Sequence, residues 1–128
     1  MMHAYVDIFK ALSDATRIRI LHLFVRAKCE LCVCELTDSL EVPQYNISRH
    51  LKILKSAGLL TSEKDGRWVY FRLVRSDDPF MEYLFKAIEQ IPGSLLQKDL
   101  REWEKRLALR TDGRCRIGIQ KKHLLRAS

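Results

Sequence analysis

The sequence predicts a mainly α-helical fold with one small β-hairpin and about six helices, and three observations predict it. Apolar residues recur at helical spacing through most of the chain, and hydrophobic residues make up 47% of its 128 positions. One Asp-Gly pair, Asp65-Gly66, separates two short strand-like runs, a strong hairpin signal. Just before it stand a short amphipathic run, the turn Glu41-Val42-Pro43 and a longer run with one apolar and one polar face. That order is a helix-turn-helix, and the hairpin makes it winged.

Each element has its own signals. Tyr5, Ile8, Phe9 and Leu12 predict an amphipathic helix over residues 4–12. Asp14 is a good N-cap for a second helix over 15–27, whose Ile18, Leu21, Leu23 and Val25 belong to the core, with Arg17 and Arg19 on its rim. Val33, Leu36 and Leu40 fit a third, short helix from Cys32 to Leu40. Pro43 suits the first turn of a fourth, because the missing N–H is not needed there, and Gly58 ends it. The hairpin joins 59–64 to 67–73, with Val69, Phe71 and Leu73 expected to face the core. Asp78-Pro79 starts a fifth helix with the stripe Phe80, Leu84, Ala87, Ile88 and Ile91. Pro92-Gly93 breaks it, and Ser94 is expected to cap a sixth bearing Leu96, Leu100, Trp103 and Leu107. The last two stripes exceed the needs of a small core. With the first helix they predict a homodimer joined through the N-terminal helix and residues 80–107. Residues 1–110 are thus expected to form one DNA-binding and dimerisation domain. Residues 111–128, with two glycines and many cations, are expected to be a flexible basic tail.

Charge and composition narrow the function. The net charge of +7 is uneven: residues 101–128 hold nine Lys/Arg against three Asp/Glu. Residues 42–62 carry Arg49, Lys52 and Lys55 and no acid, a local patch that attracts phosphate backbones. On the fourth helix Ile47, Leu51 and Leu54 share one side and must be buried. Gln44, Tyr45, Asn46, Ser48 and Arg49 lie where a reading helix touches base edges in the major groove. Lys52 and Lys55 are placed for phosphate, and His50, at the core edge, for structure or a DNA contact. Lys64 and Arg67 flank the hairpin tip, within reach of a minor groove or phosphate. The expected partner is double-stranded DNA with two half-sites, read by a dimer. No apolar run approaches the ~20 residues a membrane helix needs, and the start lacks signal-peptide character, so a cytoplasmic protein is expected. No catalytic triad, paired-carboxylate cleft or phosphate loop stands out, so no enzyme is expected.

Cys29, Cys32 and Cys34 fall within six residues, directly before the reading helix, and Cys115 lies between Arg114 and Arg116 in the tail. In a reducing compartment such thiols point to metal binding or redox chemistry, not to disulfides. Thiolates are soft ligands suited to As(III), Sb(III), Cd(II), Pb(II) or Zn(II). Trivalent arsenic takes three thiolates and a tetrahedral metal four. Cys32 and Cys34 supply two, Cys29 is the nearest third, and Cys115 is the other candidate. Side chains at i and i+2 on a helix point about 200° apart. Two sulfurs on one ion lie only a few Å apart, given bonds of ~2.3 Å as in zinc thiolates. Ligand binding is therefore expected to unwind the first turn of the third helix and withdraw its support from the reader. Cys29-x-x-Cys32 also has redox-pair spacing, which leaves a thiol-redox regulator open. It leaves a thiol-disulfide oxidoreductase open too, although that chemistry normally adjoins a βαβ pattern, absent here.

Four segments resemble the ArsR/SmtB family of metal-responsive winged-helix repressors. They are Phe9-Lys10-Ala11-Leu12-Ser13-Asp14-Ala15-Thr16-Arg17, Glu30-Leu31-Cys32-Val33-Cys34-Glu35-Leu36, Ser48-Arg49-His50-Leu51-Lys52-Ile53-Leu54 and Gly66-Arg67-Trp68-Val69-Tyr70. They fall in register across roughly residues 5–75. The resemblance implies a homodimer that binds a palindromic operator and leaves it when an inducer binds. Cys32-Val33-Cys34 matches the ligand pair of the arsenic- and cadmium-sensing members, which makes As(III) or Sb(III) the expected inducer, with Cd(II), Pb(II) or Zn(II) as the alternative. Arsenic-type members carry another cysteine where this chain has Thr37, and cadmium-type members have N-terminal cysteines where this chain has His3. Zinc- and nickel-type members use Asp and His on the C-terminal helix, where residues 95–110 offer Asp99 and no His.

Overall fold

A computed structural model describes residues 1–125. Its elements are α1 (Met2–Leu12), α2 (Ala15–Ala27), β1 (Leu31–Cys32), α3 (Val33–Leu40), α4 (Gln44–Ser56), β2 (Leu60–Asp65), β3 (Trp68–Leu73), α5 (Pro79–Glu89) and α6 (Gln97–Leu107). Two 3-10 turns, Gly93–Leu95 and Lys122–Leu125, complete it. Six helices surround a three-stranded antiparallel sheet of order β1-β3-β2, the architecture of a winged helix-turn-helix. No helix among the described residues is long and apolar enough to cross a membrane.

Local chemistry sets most boundaries. The Asp14 side chain accepts from the Arg17 amide at 3.1 Å and caps α2. Asp78 accepts from the Phe80 amide at 2.9 Å and caps α5, with Pro79 in its first turn. Between α3 and α4 the chain reverses at Glu41, in the left-handed region at φ 56. Gly66 at φ 63 turns the hairpin, a conformation that costs glycine little. Ile47, Leu51 and Leu54 of α4 are fully buried against Ile20, Leu21 and Phe24 of α2 and Leu36 and Leu40 of α3. Each such side chain contributes about 1.5–3 kcal/mol by leaving water. That burial fixes which face α4 turns outward.

The structure departs from the sequence expectations in several places. Cys32 does not open a helix. It lies in β1, paired with Tyr70 of β3, and forms the extended N-cap of α3. The inward residue of the hairpin's outer half is Tyr70 and not Val69, which is 36% exposed near the tip. As the central strand, β3 is covered on two faces: Phe71 and Leu73 pack on the main core, while Tyr70 joins a second cluster with Cys32, Cys34, Cys115 and Ile119. Ser94 caps nothing. A 3-10 turn intervenes, and α6 starts at Gln97 after Leu96, which makes no side-chain cap. Finally, α6 is occupied largely within the chain: it packs on α3, with Asp99, Trp103 and Arg106 buried and Leu107 exposed. Apolar side chains left in solvent include Met2, Tyr5, Val6 and Phe9 of α1 and Tyr83 of α5, besides others on α4, α6 and the loops. Phe80 joins those helices through edge-on ring contacts with Tyr5 and Phe9.

The largest difference is the C-terminal arm. Residues 111–125 do not trail as a tail but fold back over α3 and the sheet, burying Cys115, Ile119 and Leu124. Asp38 of α3 organises this return. Its carboxylate accepts from Arg106 Nε at 2.8 Å and from the backbone amides of Gln120 and Lys121 at 3.0–3.1 Å. Removing one partner of a buried pair leaves an uncompensated charge and costs about 3–5 kcal/mol. We therefore expect Asp38→Ala to lower unfolding stability by about that amount. The Gln120 and Lys121 amides should lose hydrogen-exchange protection first. Unchanged protection there would contradict the role assigned to Asp38.

Candidate soft-ion site and nucleic-acid interface

Three thiols converge where β1 runs into α3 and the arm crosses them. Cys32 Sγ lies 2.9 Å from Cys34 Sγ and 2.9 Å from Cys115 Sγ, and Cys34 lies 3.3 Å from Cys115. All three residues are buried. The obstacle read from i, i+2 spacing disappears because Cys32 is not helical. With φ −98 and ψ 166 it is extended, while Cys34 occupies the first turn of α3, so both sulfurs turn the same way. The expected unwinding of α3 is not needed, since the pair is already brought together with that helix intact.

Charged side chains hold this geometry. Glu35, fully buried, accepts from the Cys32 amide at 3.1 Å, closing a capping box at the start of α3. The same carboxylate takes a two-pronged contact from Arg110, at 2.7 and 2.9 Å, and Arg110 also donates to the Glu30 carbonyl. Arg106, bound to Asp38, donates to the carbonyls of Ile117 and Gly118 and lies 3.7 Å from Cys115 Sγ. The Tyr70 hydroxyl donates to the Cys115 carbonyl at 2.8 Å, and Arg114 stacks over its ring. The thiols therefore sit in a cationic, hydrogen-bonded pocket formed by four segments of chain.

That pocket separates the thiols' acidities. Donation from Cys32 and Cys34, with Arg106 nearby, pulls the Cys115 thiol far below the ordinary range and favours its thiolate. The proton donated to Cys115 holds the Cys32 thiol well above that range, helped by Cys34 and burial. Its hydrogen bond to Cys115 likewise pushes Cys34 up to about 12. The three thiols thus differ in acidity, and Cys115 is the one favoured as thiolate, the form in which sulfur is a soft ligand.

Cys29, the nearest third ligand on sequence, is not among the converged thiols. It is half-buried beside the main core, and lines a shallow surface pocket with Phe24, Lys28 and Arg72. Burial raises its thiol pKa. Cys115 takes the third place through a return of chain that local pattern does not announce. Its signals were dispersed. Arg106 and Arg110 are spaced one turn apart, opposite the similarly spaced Glu35 and Asp38, and apolar Ile117, Ile119 and Leu124 interrupt a cationic segment.

On α4, Gln44, Tyr45, Ser48, Arg49, Lys52 and Lys55 are exposed and Asn46 is half-buried. Lys55 donates to Ser62 of β2 at 2.7 Å, tying the helix to the hairpin. Lys64 and Arg67 are exposed on either side of the hairpin turn, with Arg67 over the Trp68 ring. His50 departs from this group. It is buried, and its Nδ1 accepts from Arg17 at 3.1 Å, which makes it a brace between α4 and α2. Burial also lowers its pKa, consistent with a neutral acceptor.

Residues 14–62 match the sequence pattern of a family described as bacterial regulatory protein, arsR family. The arsenic resistance transcriptional regulator ArsR1 of Pseudomonas putida is 44% identical over 92 residues, 72% of this chain and 71% of that protein. The arsenical resistance operon repressor of Escherichia coli is 46% identical over 68 residues, 53% of this chain and 57% of that repressor. Among solved structures, HlyU from Vibrio cholerae superposes with a TM-score of 0.61 at 26% identity, covering 70% of this chain and 92% of HlyU.

The thiol network carries a pH signature. A thiol whose folded pKa is raised contributes stability below its unfolded pKa and loses it as pH rises through the folded value. For Cys34 that window runs from 9.0 to about 12. Unfolding stability of the reduced protein should fall across it, by on the order of 1 kcal/mol per pH unit for each retained proton. The slope should be shallower in Cys34→Ser. Equal slopes, measured by denaturant titration at successive pH values, would mean that no buried thiol proton is held.

Proposed function

We propose that this chain, which belongs to the bacterial ArsR family of regulatory proteins, is a transcriptional repressor that grips operator DNA as a homodimer and lets go when a soft thiophilic ion binds Cys32, Cys34 and Cys115. The observation that carries the reading is the meeting of three buried thiols at the start of α3, the first helix of the helix-turn-helix. Support for DNA binding comes from the exposed polar and cationic face of α4 and the cations flanking the hairpin tip. Gln44, Tyr45, Asn46, Ser48 and Arg49 read bases, while Lys52, Lys55, Lys64 and Arg67 contact phosphate. The apolar faces of α1 and α5 support the dimer, whose twofold axis calls for a palindromic operator.

Arsenite or antimonite is the inducer that fits this donor set best. As(III) takes three thiolates and keeps a lone pair, so three sulfurs complete its shell. Arsenous acid delivers it without redox change: three As–O bonds and the S–H bonds of Cys32 and Cys34 break, three As–S bonds form, two hydroxides leave as water with those two protons, and the third, displaced by the Cys115 thiolate, leaves as hydroxide. The thiol protons retained on Cys32 and Cys34 are released in that exchange. A tetrahedral Cd(II) or Zn(II) needs a fourth ligand, and the group assembled among the described residues has three members, all cysteines.

Cys32→Ser, Cys34→Ser and Cys115→Ser variants should each stay on operator DNA at arsenite concentrations that release the full set of thiols, while Cys29→Ser is released normally. Fluorescence anisotropy of labelled operator reads both. Normal release of Cys115→Ser together with failure of Cys29→Ser would move the third ligand to Cys29. In the same assay Arg49→Ala should weaken binding by about 1–3 kcal/mol if it contacts a base.

A further inference from the structure

We propose that the C-terminal arm is a plug for the DNA-reading cleft, latched by the ion that Cys115 helps to hold. The inference rests on the repressor reading and adds how release occurs. One cleft runs between the start of α4 and the hairpin. Gln44 and Ser48 line it from the helix and Arg67 from the hairpin, while Ile119 and Leu125 line it from the arm. The turn Lys122–Leu125 packs against α4, with Leu124 buried. At the arm's other end Arg114 reaches Asp65 at the hairpin tip at 2.8 Å, and Arg116 approaches the same carboxylate at 3.8 Å. The arm therefore spans from the tip of the hairpin to the reading helix and lines one cleft with two of the residues assigned to base contact. A duplex seated on α4 and touching the hairpin needs that space.

Cys115 stands between these two anchorages, and its sulfur is one of the arm's links to α3, beside the bonds of the Asp38 carboxylate to the Gln120 and Lys121 amides. The Arg114–Asp65 and Arg116–Asp65 pairs are exposed at both partners, and such pairs contribute little and are screened by salt. Without an ion the arm's hold is noncovalent throughout, the Asp38 bonds to the Gln120 and Lys121 amides included, and a duplex competes with it reversibly. Three As–S bonds join it covalently to Cys32 and Cys34, and the plug then stays in place. Arm and duplex exclude each other, so ion binding lowers DNA affinity and DNA lowers ion affinity by the same factor. The reading helix need not deform.

The test uses the full chain, a chain ending at Gly118, and a full-length Ile119→Ser/Leu124→Ser/Leu125→Ser variant that keeps every charged anchor of the arm in residues 111–125. Cys115 is intact in all three. A duplex enriched from random sequence by the full chain is titrated with and without arsenite, and thiol protection is followed by alkylation and mass spectrometry. Arsenite should protect Cys32, Cys34 and Cys115 in all three proteins. It should weaken DNA binding roughly tenfold or more only in the full, unsubstituted chain. Both altered chains should remain bound. Equal release of the altered chains at equal protection overturns the plug while leaving the repressor reading intact. A full chain that enriches no duplex without arsenite overturns both.

Discussion

Two ion pairs from α3 to the end of α6 hold the functional part of this molecule together. Glu35 with Arg110 and Asp38 with Arg106 are nearly closed to solvent, with Glu35 at 0% and Arg106 at 2% side-chain exposure. Burying such charges is expensive, and apolar residues of similar volume would often serve stability as well. What the pairs contribute is direction. Each arginine also donates to backbone carbonyls, Arg106 through Nη2 to Ile117 and Gly118 and Arg110 to Glu30. They turn a chain leaving α6 back across α3. Without that turn Cys115 has no reason to meet Cys32 and Cys34, and the thiol site loses its third member.

The site is therefore assembled from pieces of different order in sequence. Cys32 and Cys34 are two residues apart and are made convergent by a local event, the change from extended strand to helix between them. Cys115 is 83 residues from Cys32 and arrives by tertiary packing. The capping box of Glu35 couples the two, because its carboxylate fixes the Cys32 amide and binds Arg110 beside the arm. Thr37 stands where arsenic-type relatives of the resemblance carry a further cysteine; here it is buried, and the arm brings the third sulfur from another direction.

Much of the fold was legible because its signals are local and repeated. The Asp14 cap, the apolar triad of Ile47, Leu51 and Leu54, and the Asp65-Gly66 turn each act over a few residues, and the corresponding elements stand within a residue or two of expectation. The thiol pair was legible for the same reason. Cys115 stood only as the second candidate behind Cys29, because nothing near it in sequence says where the chain goes after α6. Strand β1 was hidden too: two residues make no alternating pattern, and only pairing with Tyr70 defines them. Helical spacing puts His50 at the core edge and leaves structure and a DNA contact both open, and only its contact with Arg17 from α2 settles its direction. Phe71 and Leu73 face the core as alternation gives, but Val69 on the same face lies near the tip and is exposed, and the opposite face is covered at Tyr70 by the arm.

The central claim is that a distant cysteine completes a three-sulfur site begun by a local pair. Arsenic-edge X-ray absorption of the arsenite-loaded protein tests it directly. Three sulfur neighbours are expected in the unsubstituted chain and in Cys29→Ser, and two sulfurs with one oxygen in Cys115→Ser. Three sulfurs in Cys115→Ser, with two in Cys29→Ser, would contradict it.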